Sequence, residues 1–127
     1  MIRSIGLAVV LSLLANVASA ESFDSAFKKA KDNEATKEGA AYVKSFFERF
    51  GPVLRNAMAE CFPKGVTPPK DGFNLVLAVT GDGKLSQQMV RPEGGGAQCL
   101  LKQVADARVA LPPKPDWWMV VEMRFHH

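Results

Sequence analysis

Apolar positions fall into four regular patterns along the chain. The strongest lies in residues 36–61, where Val43, Phe47, Phe50, Leu54, Ala57 and Cys61 are spaced 4, 3, 4, 3, 4. That spacing puts them on one face of a helix, with Phe46 and Val53 widening the stripe. Thr36 or a near neighbour starts this helix. Gly51-Pro52 interrupts it, because a proline removes the bond to the carbonyl four residues back, so a kink or two abutting helices is expected. Pro63, Gly65, Pro68 and Pro69 then end helical structure. Residues 73–80 alternate, with Phe73, Leu75, Leu77 and Val79 on one face and Asn74, Val76, Ala78 and Thr80 on the other, the period of a strand. Gly81-Asp82-Gly83 supplies a tight hairpin, and Lys84–Arg91 returns as its partner. Leu100, Leu101, Val104 and Val109 mark a second helix over Ala97–Val109. After the stiff connector Leu111-Pro112-Pro113-Lys114-Pro115, a last strand spans Trp117–Phe125.

The order helix, strand, strand, helix, strand predicts an α+β fold of two layers. Helices pack on one face of a three-stranded, mainly antiparallel sheet. Residues 21–35 are polar and form an arm or a short helix capped by Ser22 or Asp24, with Phe23 and Phe27 on one side.

The first 20 residues have a different character. Arg3 precedes an apolar run from Ile5 to Val17, and Ala18-Ser19-Ala20 stands before Glu21. This is the build of a cleavable export signal, too short to span a bilayer. Its removal leaves 107 of the 127 residues and lowers the net charge from +3 to +2. One small domain in the periplasm or outside the cell is expected, not membrane-spanning once cleaved. No dense run of Lys and Arg interleaves with aromatics, which argues against nucleic acid as a partner. The two cysteines, Cys61 and Cys99, are 38 positions apart and both lie in the exported part. In an oxidising compartment that predicts a structural disulfide; catalytic pairs are usually spaced C-x-x-C.

Candidate chemistry is sparse. Histidine occurs only as His126-His127, which reads as a solvated tail with no third metal ligand nearby. Without another histidine there is no Ser-His-Asp or Cys-His arrangement. Asp82 reads as turn chemistry, since the spacing of a calcium loop is absent. Gly94-Gly95-Gly96 lacks the Lys-Ser/Thr of a phosphate loop and reads as a loop before a helix. Glu48, Glu60, Glu93 and Glu122 are not paired by local spacing. No enzymatic activity, cofactor or metal is expected. Trp117-Trp118 carries more information, because adjacent strand residues point to opposite faces. If Met119 and Val121 face the helices, Trp118 and Val120 face away, and Val76, Ala78 and Val90 are expected on that same outer face. An apolar outer face implies a partner, a homodimer mate, or cover by the Phe23/Phe27 arm.

With these elements in hand, the chain resembles the TonB C-terminal-like superfamily, in particular the cysteine-containing branch seen at the C-termini of AgmX/PglI-type gliding-motility proteins. The resemblance covers residues 53–125. It is carried by Cys61, by Leu75-Val76-Leu77-Ala78-Val79 with Gly81-Asp82-Gly83-Lys84-Leu85, by Cys99-Leu100-Leu101, by Leu111-Pro112 and by Val120-Val121-Glu122-Met123-Arg124-Phe125. It implies a domain that accepts a partner's extended segment at a sheet edge, here that of the last strand. The chain departs from TonB energy transducers, which keep an uncleaved anchor and a long Pro-rich spacer. The expected function is therefore a periplasmic, non-enzymatic module that binds a protein or peptide of the cell envelope. The alternative is a small periplasmic inhibitor or immunity protein that occludes a toxin or hydrolase. Partner contacts are expected at Trp118, Val120, Val76 and Ala78.

Overall fold

The computed structural model describes residues 21–125, so the export signal and the His126-His127 tail lie outside the described residues. The elements are α1 (Phe23–Glu34), α2 (Lys37–Cys61), β1 (Phe73–Val79), β2 (Leu85–Arg91), α3 (Gly95–Val104) and β3 (Trp117–Met123). The strands form an open antiparallel sheet in the order β2-β1-β3, and the fold is α+β as expected.

α1 and α2 each start where a side chain can satisfy a first backbone donor. Ser22 caps α1 by accepting from the Ser25 amide at 3.1 Å, and Thr36 caps α2 by accepting from the Gly39 amide at 2.9 Å. Gly39 is required at the junction: a Cβ there would lie 1.7 Å from the Asn33 carbonyl oxygen. α2 continues as one helix through Pro52, so of the two expected outcomes, a kink or two abutting helices, the division is not found. Pro52 is exposed, so the carbonyl that loses its intrahelical donor can turn to water.

The buried face of α2 is also turned slightly from expectation. Tyr42, Phe46, Phe50, Ala57 and Cys61 are buried, while Val43, Phe47 and Leu54 flank the stripe and are only partly buried. Counting aliphatic and Phe positions alone overlooked Tyr42, whose ring belongs to the core while its hydroxyl donates to the Ala110 carbonyl at 2.6 Å.

Gly83 sits at φ 81° in the β1–β2 turn, where its N–H donates to the Thr80 carbonyl at 3.0 Å, and the pairing register shifts just before the turn, between Ala78 and Val79. α3 ends at Val104, short of the expected Val109. The chain beyond it turns to lie against the hairpin instead: the Val109 amide donates to the Gly83 carbonyl at 2.9 Å, and Lys84 bridges with Arg108.

Two hydrophobic clusters hold the sheet. On the inner face, α2 and α3 cover Phe73, Leu75, Leu77, Val79, Trp117, Met119 and Val121. The faces of β1 and β3 thus follow the alternation read from sequence. On the outer face α1 forms a third layer over Val76, Ala78, Trp118 and Val120. A disulfide joins Cys61 at the end of α2 to Cys99 in α3, with Cα atoms 5.6 Å apart. Among the described residues no helix is long and apolar enough to cross a membrane.

Candidate functional site: the sheet edges and the covered outer face

The four residues expected to meet a partner do come together, but under α1. Val76 is 0%, Ala78 2%, Trp118 8% and Val120 8% exposed. Of the three possibilities for an apolar outer face, cover by the protein's own arm is the one found. The physical reason is the spacing of small residues in α1. Ala26 and Ala30, one turn apart, let the helix sit close on the sheet, while Phe23 and Phe27 pack along its flank. As an accessible surface, the outer face expected from the strand pattern is corrected to a second core. Val90 is a further correction. It pairs with Leu75, which places it in the inner cluster, whereas its neighbour Met89 pairs with Val76 and packs outward.

Polar contacts fix α1 at both ends. Lys31 Nζ donates to Glu122 Oε1 at 2.8 Å, a contact that raises the Lys31 pKa, with the nearby Glu34 adding to it. Asn33 Nδ2 donates to the Trp118 carbonyl at 3.1 Å. At the other end the Arg91 guanidinium lies 5.3 Å above the Phe23 ring. Sequence pattern pointed to none of these, since Lys31 and Asn33 look like ordinary solvated residues until the helix end is known to reach β3.

The Asn33 contact also reveals the condition of the β3 edge. β3 has a strand neighbour on one side only. Backbone groups of an antiparallel strand point alternately toward and away from the neighbour. Because the Trp118 carbonyl is turned outward to Asn33, those of Val120 and Glu122 are turned outward as well. The link between α1 and α2 carries the chain from the outer face to the inner face past this edge, so the Trp118 end of β3 is shielded. The Glu122 end carries the Lys31–Glu122 pair and a longer Arg124–Glu122 contact of 3.7 Å.

The remaining chemistry reads as structure. Thr80 Oγ1 donates to the Asp82 carboxylate, which holds that carboxyl below its usual range and organises the hairpin turn. Gly96 belongs to packing, because a Cβ there would lie 2.4 Å from the Phe62 ring. Glu48 and Glu60 are exposed on α2, about three turns apart, and Glu93 is exposed in the loop before α3. Burial pushes the Tyr42 phenol up to about 12. Trp117 Nε1 is buried with no partner among the described residues. No group of three or more His, Cys, Asp or Glu side chains among the described residues is placed to hold a metal ion. Comparisons of the chain with protein-family models, with curated proteins and with solved structures return no match.

Proposed function

We propose that this chain is an exported, non-enzymatic binding module of the cell envelope that takes up an extended protein segment at an edge of its sheet. The observation that carries the reading is the open sheet: three strands, two edges, and outward-turned backbone groups ready to pair. Exposed strand edges are templates for added strands unless something blocks them. The resemblance to TonB C-terminal-like domains supports the same reading through its order of cysteine-ended helix, hairpin, cysteine-bearing helix and last strand. Export to the periplasm is part of the proposal and rests on residues 1–20. Engagement through the side chains of Trp118, Val120, Val76 and Ala78 would require α1 to leave the outer face, so the edges are the sites that need no rearrangement.

Photo-crosslinking in cells tests the function. A photoreactive residue at Gln87 or Glu122, both exposed on edge strands, is expected to capture a protein partner, and one at Arg49 on the exposed side of α2 is expected to capture none. Equal capture from all three positions, or none from any, rejects edge binding. Capture of one folded hydrolase or toxin, from Arg49 as strongly as from the edges, would identify an inhibitor instead.

A further inference from the structure

The two edges of the sheet are not equivalent. β3 is crossed by the α1–α2 link and has one outward carbonyl already bonded to Asn33. β2 has no such guard. Its register follows from the alternation established on β3. Leu75 and Leu77 of β1 direct their backbone groups to β3, so Val76 and Ala78 direct theirs to Met89 and Gln87. The N–H and C=O groups of Gln88 and Val90 therefore face away from the sheet.

Between Leu85 and Val90 the strand has no proline and no charged residue, the devices that commonly blunt an edge. A cleft lies beside each end of it. One, of about 300 Å³, runs from Gln88–Arg91 to Gln98 and Leu101 of α3, and is bounded by the start of α1. The other, also about 300 Å³, lies between Lys84-Leu85 and the segment Ala105–Arg108 that follows α3. Along the strand edge they form an interrupted trench, walled opposite the strand by α3 at the first cleft and by the segment that follows α3 at the second. An added strand would meet backbone donors and acceptors along one flank and the partly buried Leu101 along the other.

Charge says what kind of segment fits. Arg91, Lys102 and Arg108 form no ion pair among the described residues, and Lys84 has only a 3.9 Å contact to Asp82. The nearby Glu21 is held by Lys29, leaving Glu93 and Asp106 as the unpaired carboxylates. Lys102 lines neither cleft, and beside Gln88 the Arg91 charge is offset by Glu93; at the other cleft Lys84 and Arg108 outnumber Asp106, so the excess of cations lies at the Lys84 end. A second copy of this chain fits poorly. Antiparallel pairing of two β2 strands about Gln88 would set Arg91 of one opposite Leu85 of the other, with Lys84 the next residue along, so cationic ends would meet at both ends of the pair.

We propose that the β2 edge, Leu85–Arg91, is the acceptor: it takes an extended segment of another protein as a fourth strand beside α3, with the segment's acidic residues at the end that meets Lys84 and Arg108. This rests on the edge-binding function above and assigns it to β2.

The test uses the full exported chain, isotope-labelled, and a synthetic peptide as long as β2. The peptide alternates valine and threonine and carries an aspartate at each end. Saturable shifts of the Gln88 and Val90 amide signals are expected. Binding should weaken at least tenfold when lysines replace the aspartates. It should vanish when alternate peptide nitrogens are methylated on the pairing edge. Gln88→Pro removes an outward N–H without breaking a bond to β1, and should weaken binding at least tenfold. If that variant fails to fold, the methylated peptide carries the same test. Shifts at Val120 and Glu122 instead would overturn the β2 assignment and keep edge binding. No shift at either edge would overturn both. Equal binding of the lysine-ended peptide overturns the acidic partner. Concentration-dependent pairing of the free protein through β2 would replace it with a second copy.

Discussion

Tyr42 is the one tyrosine in the chain, which makes its titration directly readable. Its hydroxyl is bonded to the Ala110 carbonyl, and burial raises its pKa to about 12. In the unfolded chain a phenol titrates near 10. The native state thus resists ionisation. The stability linked to this group is fully present below about pH 10 and is lost as the pH climbs toward 12. Tyrosinate absorbance should accordingly rise late, near pH 12 or together with alkaline unfolding. A midpoint at pH 10 with the fold intact would show that the phenol is solvated. Trp118 makes the complementary case on the other face. Because α1 covers it, Trp118→Ala should leave a cavity and destabilise the protein by about 3 kcal/mol. Denaturant unfolding measures this, and a loss below about 1 kcal/mol would mean that the outer face is open in solution. Both residues show what a strand or helix pattern conveys and what it omits. Alternation placed Trp118 on the outer side correctly, yet the covering residues are alanines, whose small size marks close approach only after the helix is known to lie there. Tyr42 escaped for a related reason: its polar end masks a ring that belongs to the core.

Elements were legible where they carry a long periodic signal. The long helix, the hairpin and the last strand all follow from spacing, and Gly81-Asp82-Gly83 announces the turn that joins β1 to β2. Boundaries were less so. α3 ends at Val104 because the next residues find partners on the hairpin, a long-range pairing that no local window contains. Pro52 leaves α2 whole because the lost hydrogen bond falls at an exposed position, a fact of tertiary placement. The third layer is the largest difference. α1 is polar overall and attaches through a small cluster, two alanines and two partly buried phenylalanines, separate from the inner core. A carboxylate at Ala30, which is 1% exposed, should therefore detach α1 more readily than it unfolds the sheet. Ala30→Glu is expected to lose helical circular dichroism on the order of one short helix. The Trp118 emission should shift to the red, while the inner-face amides of Leu75 and Leu77 keep their slow hydrogen exchange. A single transition that melts β1 along with α1 would show that the outer layer is integral to the fold.

For the whole molecule the decisive constraint is the link between Cys61 and Cys99. The residues between them include the loop after α2 and the entire hairpin, so the bond closes a ring around the sheet's central strand. Closing a ring of 38 residues restricts the unfolded chain by about 3–4 kcal/mol. For a domain this small, that is a large share of the total stability. The bond also fastens an element with weak local support. α3 is 10 residues long, begins with glycines and has no side-chain cap at its first turn. Around the bond, Phe62 stacks on Phe73 with ring centroids 5.9 Å apart and lies against Gly96, so the end of α2, the start of β1 and the start of α3 meet at one point. Cys61→Ser should lower the melting temperature by on the order of 15 °C. Cys99→Ser should do the same, since either change removes the same bond. The double variant should be no less stable than the singles by more than a few tenths of a kcal/mol, because the constraint can be lost only once. Hydrogen exchange in α3 should rise in all three before exchange in β1 does. Additive losses in the double variant would mean that each cysteine stabilises the protein by its own packing, and the bond would then not be the main constraint.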